Sequence, residues 1–574
     1  MLNKIDKILD ECFTRLSEVE DVCIDEAFTK EHREYIQAWR VTTTISIRGA
    51  VAEDITFVVA FKHTFPFSLP CVYYLDTKYD YFPHIDYNNR KLCLFADDVI
   101  LDTENPYELI RTVIKRSKLM VRNGSCELRD NFHDEIINYW DLEYAKERPI
   151  QRGWIHSISS FKESRYLKLY SSEYLKQYRC NACIVDENTN LEYISYFKRK
   201  FGKNLVEHKV LFLANVNIPQ EPPYNITTDI FQSWITSDDD IKMFHHYIRT
   251  QRGLLIIVFR LGSTNLLGGF MYEDIKIKRR GFRDGSLTQH DVITKLEKSK
   301  SLHRLLIYEY SDKRIAMRTK GKVSKSRQFV VAGLGSIGSQ LCHFLNSLNN
   351  PKLLLVDNDI FNINNLGRHL LGFNFLNQPK VDAVQSFFKA LNPNQDIITY
   401  RGDIESCLLD KLAEVNQGDL LIVCTGNIMS ELFVLQCFES RKLEIPFLLV
   451  WLEPYALAGH MVYIKECIDN SFKERIFSEN YLYKYNIIDE DEYSRKSFTV
   501  PDAGCNGEYT LYSGTDVMLF LSAMFPIIDR LIRHPDTSSN MCYRWIGDIS
   551  MAKDKDIRLK NIELTPYAVE ELAI

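Results

Sequence analysis

The 574-residue chain contains no uninterrupted apolar run of the ~18 residues that a membrane-spanning helix needs. Its nearest approach, Gly253 to Met271, is broken by Arg260 and by several Gly, Ser, Thr and Asn, and reads as a buried strand pair. A basic excess is also missing. Lys and Arg number 71 against 77 Asp and Glu, a formal net charge of −6, which leaves no general footprint for nucleic acid. Internal repeats and low-complexity tracts are absent. Met1 to Arg15 mixes charged and apolar residues and reads as an amphipathic helix rather than a secretory signal. Fourteen cysteines in that setting fit a reducing cytoplasm with mostly free thiols. The sole CxxC, Cys180-Asn181-Ala182-Cys183, lacks a second pair, so neither zinc nor redox chemistry follows from it.

The sequence does have ample core-forming material, 45% hydrophobic residues against 26% charged, and a length that asks for about three domains. Residues 1–150 open with a helix at Ile5 to Leu16. Strand-like runs follow at Trp39 to Arg48, Ile55 to Phe61 and Cys71 to Leu75, then helical patterns at Tyr107 to Met120 and Phe132 to Ala145. That order is α+β. Residues 151–320 form a mixed α/β linker domain with strands at Leu205 to Ala214 and Leu254 to Arg260 and a helix at Asp239 to Arg249. Lys320 to Arg327 reads as a solvated linker. Residues 321–574 then alternate strands and helices, the pattern of a parallel, Rossmann-like α/β sheet. Its strands are expected at Phe329 to Ala332, Lys352 to Val356, Ile397 to Tyr400, Leu420 to Cys424 and Phe447 to Trp451.

Gly333-Leu334-Gly335-Ser336-Ile337-Gly338 directly follows the first of these strands and opens a helix. Glycines there let backbone N–H groups approach phosphate oxygens. Asp357 ends the next strand at the spacing where a carboxylate holds a ribose hydroxyl. Arg368 and Lys380, close downstream, are fixed cations able to compensate a triphosphate.

The series of GxGxxG, Asp357-Asn358-Asp359, Asn365-Leu366-Gly367-Arg368 and Gln378-Pro379-Lys380-Val381 resembles that of the ThiF/MoeB and ubiquitin-activating enzymes. Those enzymes adenylate a protein C-terminus. The resemblance implies ATP and Mg²⁺, with Gly333, Gly335 and Gly338 at the nucleotide and Asp357 at the ribose. It also implies phosphate contacts from Asn365, Arg368 and Lys380. Where the family carries an aspartate for magnesium, this chain has Cys424-Thr425-Gly426-Asn427, which leaves Asn427 or Asp359 as metal candidates. Cys505, in a Gly/Asp/Asn-rich loop before a helix near Thr515, is similar to the crossover-loop cysteine that captures the acyl group. Relatives dimerise through this domain. Arg314 and Arg318 are candidates for an arginine supplied across such a dimer.

Near the other end, Phe65-Pro66-Phe67-Ser68-Leu69-Pro70-Cys71-Val72-Tyr73-Tyr74-Leu75 looks like the proline signature of ubiquitin-conjugating enzymes. Cys93, in Leu92-Cys93-Leu94, then matches the nucleophile, although the same flanks suit a small core residue. The usual oxyanion asparagine has no match, so Asn88, Asn89 or a backbone N–H would serve. A conjugating-like and an activating-like domain in one chain resemble the fusion enzymes of bacterial CBASS anti-phage operons. Those ligate the C-terminus of a cyclic-nucleotide synthase, a cGAS/DncV-like nucleotidyltransferase, to an amine. The resemblance implies adenylation, thioester capture on Cys505, transfer to Cys93 and amide formation, with a homodimer and no nucleic-acid or membrane partner. A sulfur-carrier adenylyltransferase, or a degenerate scaffold permitted by Gly426, are the alternatives.

Overall fold

The computed structural model describes residues 2–46, 52–76, 82–86, 89–95, 99, 102–124, 132, 136, 140, 155–157, 161–171, 182–186, 191–201, 205–219, 226–251, 254–262, 267–272, 288–300, 302–323, 325–348, 350–392, 395–467, 471–501 and 508–574. Cys180, Asn88 and Cys505 lie outside these residues. The chain separates into two compact units, Met1–Arg314 and Ile315–Ile574. No described helix is long and apolar enough to cross a membrane.

In the first unit, α1 (Leu2–Ser17) buries Leu9, Cys12 and Leu16, spaced at three and four residues, against a sheet. That sheet runs β1 (Asp21–Ile24), β2 (Tyr35–Ile45), β3 (Glu53–Lys62), β4 (Cys71–Tyr74) in order, all antiparallel. The α2 helix (Glu26–Glu31) is capped by Asp25, whose carboxylate accepts the Phe28 N–H. Trp39, fully buried on β2, meets the rings of Phe13 at 5.4 Å and Phe61 at 4.4 Å. The α3 helix (Pro106–Gly124) closes the same core with Ile110, Val113 and Ile114.

The rest of this unit is a closed seven-stranded barrel, which the sequence did not announce. Its strands are β5 (Ile155–Ser157), β6 (Arg165–Ser171), β7 (Ala182–Val185), β8 (Val206–Leu213), β9 (Leu255–Arg260), β10 (Leu267–Tyr272) and β11 (His303–Glu309), in the order β10-β11-β5-β7-β6-β8-β9. The β9 and β10 strands are the antiparallel pair read from Gly253 to Met271. Along β9, Ile256 and Val258 face one core while Leu255, Ile257 and Phe259 face another, so both sides of the strand are buried. Phe132, Ile136 and Trp140 belong to the second of those cores, and the Trp140 indole N–H donates to the Leu305 carbonyl at 3.0 Å.

The second unit is built on an eight-stranded sheet ordered β14 (Ile397–Tyr400), β13 (Lys352–Val356), β12 (Gln328–Ala332), β15 (Leu420–Val423), β16 (Phe447–Leu452), β17 (Ala458–Ile464), β20 (Met541–Ile546) and β21 (Val569–Ala573). The first five are parallel and the remaining pairs antiparallel. A short ribbon, β18 (Thr499–Pro501) with β19 (Glu508–Thr510), flanks the Cys505 loop. Helices α4 (Ser336–Asn346), α5 (Lys380–Leu391) and α7 (Gly514–Arg533) share one core with Val331, Leu355 and Ile422. The α6 helix (Ile428–Glu439) covers the opposite face with Val330, Leu354 and Leu421. Burial on both faces explains why these strands read as continuous apolar runs. Arg327, expected to be solvated, instead pairs with Asp419 at 2.7 Å and donates to the Ile532 carbonyl, fixing where β12 begins. Arg314 donates to the Glu309 carbonyl at 2.8 Å.

Truncating a fully buried aromatic removes transfer energy and leaves a cavity. Trp39→Ala should therefore destabilise the N-terminal core by about 3–5 kcal/mol in urea denaturation. Phe67→Ala, at a side chain 79% exposed, should stay within about 0.5 kcal/mol of the parent. Equal losses would contradict this core assignment.

Candidate active site

The glycine turn occupies Gly333 to Gly335, between the end of β12 and the start of α4. Its glycines have different reasons to be there. Gly333 has φ +84°, and a Cβ there would lie 2.7 Å from the Cys424 carbonyl and 2.8 Å from Thr425 Cα. A Cβ on Gly338 would overlap the Gly333 carbonyl oxygen. These two glycines let helix, turn and neighbouring strand close on each other. Gly335 faces open space, with no atom within 4 Å of its Cβ position, and as N-cap of α4 it supplies no side-chain capping bond. The first N–H groups of α4 thus have no capping side chain, the arrangement at which helix N-termini take anions.

Asp357, at the end of β13, holds this turn. Its Oδ2 accepts from Leu334 N–H at 2.6 Å and its Oδ1 from Asp359 N–H at 2.8 Å. Each oxygen keeps a second lone pair for a ribose hydroxyl. Burial raises the Asp357 carboxyl above the usual carboxylate range, with Lys380 pulling the other way. Lys380 opens α5, is 6% exposed, and pairs with Asp359 at 2.7 Å.

Asn365 and Arg368 sit on the adjoining loop. The Asn365 Oδ1 accepts the Asn362 N–H within a local capping box, which leaves its amide N–H₂ for a phosphate. Arg368 Nη1 donates to the Thr510 carbonyl at 3.3 Å, and both residues line a cleft of about 380 Å³ together with Asn364, Tyr512 and Ser513. Tyr512 OH lies 2.9 Å from Ser336 Oγ, joining the segment after Cys505 to the first turn of α4. Asp357 and Lys380 do not line that cleft. The sequence-derived residues thus fall into two groups, the turn with its acids and Lys380, and the loop with Arg368 facing β19. Tyr512 was not foreseen, because nothing local marks a partner 176 residues away.

Gly426 has no side chain to hold magnesium, which leaves the two candidates Asn427 and Asp359. Gly426 has φ +62°, a conformation that favours glycine, and open space around it. Asn427 spends its Oδ1 on the Met429 N–H as N-cap of α6. That oxygen keeps a second lone pair, and Asp359, with a side chain 64% exposed, offers a carboxylate, of which magnesium needs only one or two beside substrate phosphates. Among the described residues no cluster of three or more metal-ligating side chains occurs. On α6, fully buried Glu431 accepts from Tyr483 OH at 2.5 Å, while its Oε1 has no partner. Burial pushes its carboxyl up to about 7.

In the first unit, Leu92 N–H donates to the Val72 carbonyl and Cys93 N–H to the His84 carbonyl, both at 2.8 Å. A small hairpin with an Ile85–Leu92 bridge thereby closes on β4. Leu92 points into the core and Cys93 is exposed, so the core reading of this thiol does not hold. His84 and Arg90 take positive φ values of 70° and 63° beside it, the kind of strain found at functional sites. Asn89 Oδ1 accepts from Lys91 N–H at 2.9 Å, which orients the side chain and leaves its amide N–H₂ as the donor group.

Two substitutions separate the glycine roles. Gly338→Ala should destabilise the protein by about 1–3 kcal/mol through overpacking against backbone, whereas Gly335→Ala should change stability by less than about 1 kcal/mol. Thermal unfolding decides it, and the reverse order would reject the assignment. Glu431 makes a pH prediction. Unfolded it titrates near 4.5 and folded at about 7, so between these values the native state holds a proton that the unfolded state has lost. Stability should fall as pH rises through this window. Glu431→Gln should flatten that slope, gaining on the parent at about pH 8 but not at about pH 4.5. Parallel stability curves would refute it.

Residues 310–495 match the ThiF family, and residues 15–149 match Prokaryotic E2 family B. No curated protein matches the chain. Among solved structures, a crystal structure of PaaA is 15% identical with a TM-score of 0.27, covering 41% of this chain and 62% of that one. E. coli MccB with AMPCPP and MccA is 11% identical with a TM-score of 0.28, over 43% and 63%. E. coli MccB alone is 12% identical with a TM-score of 0.29, over 43% and 62%. This chain thus spans less than two thirds of the length of these solved chains. The two family matches make the protein a fusion of an E2-like domain and a ThiF-type domain in a single chain.

Proposed function

We propose that this protein is an ATP-dependent conjugating enzyme that activates the C-terminal carboxylate of another protein and joins it to an amine. The observation that carries this reading is the glycine turn, with the bare start of α4 at Gly335, Asp357 bonded to Leu334, and Arg368 and Lys380 nearby. The carboxylate attacks the α-phosphorus of ATP, pyrophosphate leaves, and an acyl-adenylate remains. Arg368 and Lys380 offset charge on the departing phosphates. Asp359 or Asn427 would hold a magnesium ion, which would neutralise charge on those phosphates. The Cys505 thiolate then attacks the acyl carbonyl and expels AMP, giving a thioester. The described strands before and after Cys505 in sequence, β18 and β19, pair with each other, and Thr510 on β19 accepts from Arg368.

The Cys93 thiolate takes the acyl group from Cys505, which recovers its thiol. An amine attacks the second thioester, the C–S bond breaks, and an amide forms. Exposure of Cys93 favours this over a sulfur-carrier adenylyltransferase, which would not need that thiol. Both thiols must stay reduced, which suits the cytoplasm. The substrate is a protein with a free C-terminus, in the CBASS setting a cyclic-nucleotide synthase. The enzyme works as a homodimer through its ThiF-type domain.

Incubation with ATP and such a synthase should give a thiol-sensitive adduct on a non-reducing gel. Cys505→Ala should abolish it, and Cys93→Ala should let it accumulate without amide product. Conjugation by both variants would overturn the relay. Absence of pyrophosphate exchange with every C-terminal substrate would favour a scaffold, and turnover indifferent to Cys93→Ala would favour the sulfur-carrier reading.

A further inference from the structure

The backbone of Leu334, in the middle of the glycine turn, is held on both sides. Its N–H donates to Asp357 Oδ2 at 2.6 Å, and its carbonyl accepts from His369 Nε2 at 2.7 Å. His369 is 7% exposed, and Phe361 lies against its ring at 4.8 Å. A second contact fixes the tautomer. Leu371 N–H donates to His369 Nδ1 at 3.0 Å, so Nδ1 carries no proton and Nε2 must. Burial pushes the ring's pKa down to about 4, which keeps this neutral donor form in place near neutral pH. Protonation would set two N–H groups, Nδ1 and Leu371, against each other.

The Leu334 carbonyl and the Gly335 N–H belong to one planar trans peptide, so they point in opposite directions. Whatever fixes the carbonyl aims the N–H. With glycine on either side of Leu334, and Gly333 at φ +84°, the local chain alone resists rotation of this peptide weakly. His369 supplies the missing restraint: its ring holds the Leu334 carbonyl, so the Gly335 N–H of the same peptide points away from that ring. Two more bonds hold the donor's own segment to α4. Leu370 N–H donates to Ser339 Oγ at 3.2 Å, and Gln340 Nε2 donates to the Arg368 carbonyl at 3.3 Å. The backbone that carries Arg368 and the turn that carries Gly335 are thus locked in one register.

We infer that His369 is a positioning residue of the nucleotide site, aiming the Gly335 N–H at a nucleotide phosphate through its bond to the Leu334 carbonyl. The inference rests on the nucleotide-binding reading above. His369 itself has no contact to make with ATP. Its effect should appear for ligands that carry phosphates and be missing for adenosine, since a hydrogen bond to a charged phosphate is the interaction that misaiming loses.

Two variants of the full chain separate this from simple packing. The amide of His369→Gln reaches the Nε2 position and can still donate to the Leu334 carbonyl. The shorter His369→Asn reaches only the Nδ1 position and leaves that carbonyl without its donor. Isothermal titration with ATP and with adenosine should show His369→Asn weakening ATP about tenfold, with adenosine changed less than about threefold. His369→Gln should restore ATP affinity to within about threefold of the parent. Unchanged ATP affinity in His369→Asn overturns the inference. Equal losses for ATP and adenosine, or equal losses in both variants, overturn it as well, because they mark general packing. Failure of the unaltered protein to bind either ligand removes the nucleotide reading itself, a result distinct from all of these.

Discussion

The second unit depends on one close approach, that of the first turn of α4 to the carbonyl of Gly333. No side chain fits between Gly338 and that oxygen, and none fits between Gly333 and the backbone at Cys424 and Thr425. Those two absences let β12, β15 and α4 close on one another. The helix then begins directly above the sheet, with its unsatisfied N–H groups at the C-terminal ends of the parallel strands. Open α/β sheets bind ligands at this edge, because loops of successive units diverge there and helix N-termini favour negative charge. Asp357, Leu334 and His369 convert the approach into a rigid arrangement by fixing both sides of the turn.

Charge is distributed around that turn in a way the fold makes necessary. Asp357 is a half-buried carboxylate held by two backbone N–H groups, and buried Lys380 lowers the penalty of its ionisation. Lys380 is itself tied to Asp359. Arg368 faces the other way, toward the carbonyl of Thr510 on β19. The same arginine thereby joins the loop after β13 to β19. Tyr512, bonded to Ser336, ties the same segment to α4.

The cysteines sort by exposure. Burial pushes the thiols of Cys183, Cys342 and Cys542 up to about 12 and Cys407 to about 11, which keeps them inert at neutral pH. Cys93 is different, since a hairpin pinned to β4 through Leu92 turns it out to solvent. Alternation along the chain does the work there, with Leu92 inward and the thiol outward.

Sequence alone determined a good deal, and the reasons are local. The strand–glycine–helix order, Asp357 at the end of its strand and the run of parallel strands all follow from contiguous patterns whose period or composition is set by burial on both faces. The helix and meander of the N-terminal domain were legible for the same reason. The closed barrel was not, because strands buried on both sides carry no alternation and β11 pairs with β5 across about 150 intervening residues. Nor could a single sequence reveal the hydrogen bonds of His369 to Leu334 and of Tyr512 to Ser336. Only the tertiary structure decided that Cys93 faces solvent, that Asn427 caps a helix, and that Gly426 occupies a positive-φ turn. Each of those is a question of where a side chain or carbonyl points, and packing between distant segments sets that direction.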